Sequence, residues 1–130
     1  MPDPRAQGGR PRARRRSAGE LEAEVLAALW ASEAPLTPAE IHTRLGPDLA
    51  YSTITTILHR LHRKGLVVRT PAGRGNAYSA SQDEASHTAK AMHALLEEGR
   101  DHAAVLARFV TALSPDDERL LHELLRDEQE

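Results

Sequence analysis

Apolar positions recur with a helical period in six stretches of this chain, and one stretch between them switches to a β-rich pattern. In residues 50–68, AYSTITTILHRLHRKGLVV, Ile54, Ile57, Leu58 and Leu61 fall on one side of a helix. Ser52, Thr56, His59 and Arg63 fall roughly opposite, so this helix has one face to bury and one polar face to expose. After Gly65 the period changes. Residues 66–70 are β-rich, the turn sequence PAGRGN follows, and a short second run covers 77–79. This pattern predicts a hairpin with Arg74 at a glycine-flanked tip.

Upstream, LTPAEIHTRL carries the marks of a helix start. Thr37 is placed as N-cap, Pro38 at the first helical position and Glu40 three residues after the cap, with Leu36 and Ile41 where a hydrophobic staple needs them. Gly46 and Pro47 stop this helix and leave Asp48 and Leu49 as the connection to the next, which is helix-turn-helix spacing. Further upstream, GELEAEVLAALWA puts Leu21, Val25, Leu29 and Trp30 on one side of a first helix. Three helices followed by a hairpin make a winged helix.

Beyond the hairpin, Ser81 and Glu84 are spaced as a second capping box, and Ala85, Ala89, Met92, Leu95 and Leu96 form a helical stripe that ends near Gly99. Val105, Leu106, Phe109, Val110 and Leu113 define another helix. SPDDERLLHELL begins a last one, with Ser114 as cap, Pro115 first, acids in its opening turn, and Leu120, Leu121, Leu124 and Leu125 as the set to bury. Three short helices with narrow apolar stripes bury little on their own, so a second copy is the expected partner. The alternative is a monomer in which they fold back onto the winged helix. The expected architecture is therefore mainly α with a small β-wing: an Arg-rich arm over 1–16, a winged helix over 17–80 and a helical dimerisation domain over 81–130.

Charge sharpens this division. The formal net charge of the 130 residues is only −2. Yet residues 1–16 carry six arginines against Asp3, residues 17–80 carry six bases and six acids, and residues 81–130 carry five bases against twelve acids. Within the middle block every acid precedes residue 49, whereas Arg60, Arg63, Lys64, Arg69 and Arg74 follow it with no acid among them. A local basic surface of this kind suits phosphate binding, and the acidic C-terminal helices would stay away from DNA. The arm MPDPRAQGGRPRARRR has no hydrophobic periodicity and reads as a disordered segment, one that tracks phosphates or enters a minor groove, or else a nonspecific leader.

Several function classes drop out. No cysteine is present, which excludes disulfides, a thiolate nucleophile and cysteine-based metal sensing. Aromatic residues make up 3%, too few for stacking platforms on single strands. No apolar run approaches the roughly 18 residues that span a bilayer, and the glutamates after RARRR are incompatible with a signal core; a cytoplasmic protein is expected. His59 and His62 are three apart but diverge around the helix, and the remaining histidines are scattered, so no metal or other cofactor is expected. There is no nucleophile elbow, phosphate loop or HExxH pattern, so no enzyme is expected. On the polar helix, small hydroxyls allow close approach to a major groove, and an imidazole and a guanidinium can reach base edges or phosphates. The plainer alternative for that helix is a solvated amphipathic surface.

LEAEVLAALW in the first helix, YSTITTILHRLHRKGLV through the third, and GRGNAYSA in the hairpin resemble the penicillinase-repressor (BlaI/MecI) group of bacterial winged-helix repressors, from about Gly19 to the C-terminus. The missing cysteines set the chain apart from the copper-responsive branch of that group. The resemblance implies a homodimer that binds a pseudo-palindromic operator in double-stranded DNA, in this group typically with TACA and TGTA half-sites. Ser52, Thr55, Thr56, His59 and Arg63 would lie nearest the bases and backbone, flanked by Tyr51 and Lys64. Arg74 would contact phosphate or minor groove, and Tyr78 would hold the wing or reach a phosphate. The resemblance also implies a membrane sensor-protease pathway with cleavage in the dimerisation helices, commonly at an Asn-Phe bond. Aligned on VLARFVTALS, the equivalent bond joins Arg108 to Phe109, with Arg in place of Asn. Phe109 also has the simpler role of packing in the helical core. The rival reading is a winged helix that docks a protein and does not bind DNA.

Overall fold

The computed structural model describes residues 16–128. Helices α1 (Ala18–Ala31), α2 (Pro38–Leu45) and α3 (Tyr51–Arg63) are followed by strands β1 (Val67–Ala72) and β2 (Gly75–Ala80) and then by α4 (Glu84–Glu98), α5 (His102–Ala112) and α6 (Pro115–Glu128). The order is that of a winged helix with a helical extension. The chain forms two compact units, one up to Ser86 and one from His87, so the division lies a few residues beyond the hairpin. Most of the arginine arm lies outside the described residues. Arg16, the first described residue, is ion-paired with Glu24 of α1 at 3.2 Å.

Local chemistry fixes the helix starts. Thr37 accepts from the Glu40 N–H at 3.2 Å, while the Glu40 carboxylate accepts from the Thr37 N–H at 2.8 Å, completing the expected capping box. Ser17 and Glu20 make the same reciprocal pair at the start of α1, a box that the apolar pattern alone did not bring out. Each such cap contributes about 1 kcal/mol. Gly46 closes α2 with φ +108°, in the left-handed region where a side chain would be strained.

The core of the first unit gathers Val25, Leu26 and Leu29 of α1, Leu36, Ile41 of α2, and Ile54, Ile57, Leu58 and Leu61 of α3, closed by Val67 and Tyr78 of the hairpin. Full burial of one such aliphatic side chain contributes roughly 1.5–3 kcal/mol. This packing holds α3 by its apolar face and turns the polar face outward. Trp30 is half-buried, and its indole N–H donates to the Gln82 carbonyl at 2.8 Å.

The wing is longer than the sequence pattern predicts. Its strands pair from Val67↔Ala80 to Ala72↔Gly75, leaving Gly73 and Arg74 as the tip. Gly73 has φ +59°, whereas no other residue type in the described chain has positive φ; a glycine at the first central position followed by another residue suits a type II′ turn. Pro71, which reads as a turn residue in sequence, sits in β1 opposite Asn76. Tyr78 uses its N–H and carbonyl on Leu36, so Arg69↔Tyr78 is a non-hydrogen-bonded pair, and Pro71↔Asn76, two residues along, is another. A proline there removes no ladder bond.

The start of α4 also departs from expectation. Asp83, not Ser81, accepts from a first-turn N–H, that of Ser86 at 2.7 Å. The Ser81 hydroxyl donates instead to the Gly65 carbonyl at 2.8 Å, tying the end of the wing to the end of α3. In the second unit Asp101 caps α5 through the Ala104 N–H, and Ser114 caps α6 through the Asp117 N–H. No residue of α4, α5 or α6 is buried within the chain. Met92, Leu95, Leu96, Val105, Leu106 and Phe109 line an apolar depression in this unit.

Candidate nucleic-acid interface

The exposed face of α3 builds the site. Ser52, Thr56, His59 and Arg63 are all exposed and lie at steps of four, three and four along the helix, one continuous stripe opposite the buried isoleucines and leucines. Thr55, beside the stripe, is half-buried, and its hydroxyl donates to the Ser52 carbonyl one turn back at 3.0 Å. That bond engages its proton but leaves the oxygen able to accept. Tyr51, at the first position of α3, is 51% exposed and meets the His42 ring edge-on with centroids 6.1 Å apart. His42 is itself held by the Leu49 carbonyl, 2.6 Å from its Nε2. The connection between α2 and α3 is thereby pinned beside the start of the recognition stripe.

The cations separate into two groups. Arg63, Arg69 and Arg74 are exposed and make no ion pair among the described residues. Lys64 differs: its ammonium lies 2.9 and 3.1 Å from the two carboxylate oxygens of Glu22. Arg60 approaches the same carboxylate at 3.9 Å. The stretch after residue 49 is acid-free in sequence but not in space, since α1 brings Glu22 to it. Lys64 thus flanks the stripe already paired with Glu22.

Tyr78 is 8% exposed and belongs to the core cluster, so its ring packs beneath the wing. At the wing tip Arg74 is exposed on a two-residue turn, where a long cationic side chain has the freest reach. Among the described residues no three His, Asp or Glu side chains come together as a metal site, and no helix is long and apolar enough to cross a membrane. Arg108 and Phe109 both lie within α5, and Phe109 is 41% exposed along the apolar depression.

What a polar helical stripe beside a cationic wing can do chemically is read a groove and hold phosphates. The profile of the penicillinase repressor family matches residues 18–127. The chain belongs to the penicillinase repressor family. It is also 31% identical over 114 residues to the transcriptional regulator BlaI of Mycobacterium tuberculosis, covering 84% of this chain and 83% of that protein. Among solved structures it is similar to wild-type MarR from E. coli in its apo form, with TM-score 0.45 and 25% identity over 82% of this chain and 75% of that one. It is likewise similar to a MarR family protein from Bacillus stearothermophilus, with TM-score 0.43 and 22% identity over 96% and 85%. As a member of the family this chain is a DNA-binding transcriptional repressor with a winged-helix fold, and not an enzyme.

Proposed function

We propose that this repressor acts in the cytoplasm as a homodimer on a pseudo-palindromic operator, with α3 of each copy in a major groove and each wing against the flanking backbone. The observation that carries this reading is the exposed stripe of Ser52, Thr56, His59 and Arg63 on a helix whose opposite face is locked into the core. Short hydroxyl side chains let the α3 backbone approach the base edges, and His59 and Arg63 supply the longer reach. Arg69 and Arg74 contact phosphate from the wing and carry no sequence information of their own.

The second unit supports the dimer. Met92, Leu95, Val105, Leu106, Phe109, Val110, Leu120, Leu124 and Leu125 are all exposed in the single chain. A soluble domain rarely leaves so large an apolar set uncovered, and a second copy covers it with an identical surface under two-fold symmetry. The same symmetry sets the two recognition helices about one helical turn of DNA apart. Light scattering of the full-length chain, free and on a duplex carrying both half-sites, tests the reading. A dimer at micromolar concentration with two chains per duplex is expected; a monomer in both states overturns it.

A further inference from the structure

We infer that Glu22 is a specificity-neutral affinity control: it holds Lys64, and with it Arg60, off the phosphate backbone and so limits how many cations the DNA face offers. This rests on the DNA-binding reading above. Residues 49–80 hold five cations and no acid, yet two of the five are drawn to one carboxylate contributed by α1. Lys64 Nζ meets both Glu22 oxygens at 2.9 and 3.1 Å, and Arg60 Nη1 stands 3.9 Å from one of them. The Glu22 side chain is 13% exposed, whereas those of Lys64 and Arg60 are 51% and 41% exposed. The carboxylate is therefore fixed in the fold while the cations are the movable partners.

The other acids of the first helices have different tasks. Glu24 pairs with Arg16, and Glu20 and Glu40 close capping boxes on Ser17 and Thr37. Glu22 caps nothing, and the cations it engages sit at the C-terminal end of α3, next to Arg63 on the exposed stripe. A lysine held by both oxygens of a carboxylate must give up that pair to neutralise a phosphate. While it stays, Lys64 releases no counterion, and the unpaired cations of α3 and the wing are Arg63, Arg69 and Arg74. Phosphate contacts do not depend on sequence, so Glu22 sets overall affinity and salt sensitivity and leaves operator preference unchanged.

The test is the salt dependence of binding to a random-sequence duplex and to operator duplex, using the full chain. E22Q keeps an amide oxygen for Lys64 but removes the charge. It should steepen the log-log salt slope by about 0.9 to 1.8, corresponding to one or two added phosphate contacts, and raise affinity for both duplexes by the same factor. K64M alone should leave the wild-type slope unchanged. The double variant E22Q/K64M should fall about 0.9 below E22Q.

An unchanged slope in E22Q overturns the inference. So does a reduced slope in K64M, since Lys64 would then already touch phosphate in the wild type. A rise that survives undiminished in E22Q/K64M also overturns it, because the cause would be general loss of negative charge. If E22Q melts below the assay temperature, K64M alone still decides. A wild-type chain whose binding to duplex shows no salt dependence would instead remove the DNA-binding reading itself, before Glu22 comes into question.

Discussion

Leu36 and Tyr78 exchange both of their backbone hydrogen bonds, the Leu36 N–H to the Tyr78 carbonyl at 2.9 Å and the Tyr78 N–H to the Leu36 carbonyl at 2.7 Å. The two residues are 3% and 8% exposed. The segment between α1 and α2 thereby acts as a one-residue third strand of the wing. The wing is then anchored at its base by packing and left free at its Arg74 tip.

This arrangement separates two roles for Tyr78. Y78F should cost less than about 1.5 kcal/mol in urea unfolding, at most one hydrogen bond, and should leave DNA affinity and its salt slope unchanged. Y78A should cost about 3–5 kcal/mol, as for other buried aromatic truncations. A drop in DNA affinity for Y78F at wild-type stability would give the Tyr78 hydroxyl a phosphate role.

The fold was legible where one element carried its own signal. Ile54, Ile57, Leu58 and Leu61 announce the buried face of α3 through spacing alone, and Thr37, Pro38 and Glu40 announce the start of α2 within four residues. The features that sequence reading missed are tertiary or depend on competing turn signals. Glu22 and Lys64 are 42 residues apart, so nothing local links them. Pro71 and Gly75 look like loop residues, yet the register set by Leu36 and Tyr78 accommodates both in strands. Ser81 matched a capping-box spacing, but the Gly65 carbonyl engages its hydroxyl, and Asp83 caps α4 in its place. Of the site, the exposed stripe was readable as periodicity, whereas the burial of Tyr78 required knowing what packs beneath the wing.

Recognition and anchoring should separate by mutation. Thr56 stands mid-stripe on α3, and Arg74 stands at the wing tip. T56V should change base preference within the half-site, by roughly 1–3 kcal/mol at the affected base pair. R74A should weaken operator and random duplex by similar factors and lower the salt slope by about 0.9. Equal losses on both duplexes for both variants would contradict the division of labour.

Acid should loosen the start of α2. Hydrogen bonds from the Thr37 N–H, and then from the Thr37 hydroxyl, hold the Glu40 carboxyl below its usual range, with Arg44 adding to the effect. A group whose pKa is lower in the folded than in the unfolded chain contributes stability above the unfolded value and loses it as pH falls through the folded one. Asp83 behaves alike, held low by the Ser86 hydroxyl and N–H. Urea unfolding at pH 7 and at pH 3 should therefore show a smaller loss on acidification in E40Q than in the wild type. An identical loss in both would mean that the capping box survives protonation.

The last expectation joins assembly to proteolysis. The Arg108–Phe109 bond lies inside α5, an 11-residue helix with no residue buried in the single chain. A protease requires several residues in extended form, so α5 must open locally before the bond can be cut. An isolated helix of that length is marginal in water, and in the single chain its opening sacrifices little burial. In the proposed dimer, packing against a second copy would raise the cost of opening by the apolar area it covers, Leu106 and Phe109 included. Trypsin, which cuts after arginine, should therefore cleave after Arg108 slowly in the wild type and at least tenfold faster in L106E, which places a charge in the apolar depression. Intact-mass analysis should show a fragment ending at Arg108, and the rate in the wild type should rise on dilution through the dimer dissociation range. Equal rates in both proteins, independent of concentration, would mean that α5 is not covered by pairing, and regulated cleavage at Arg108–Phe109 could not then work by breaking the dimer.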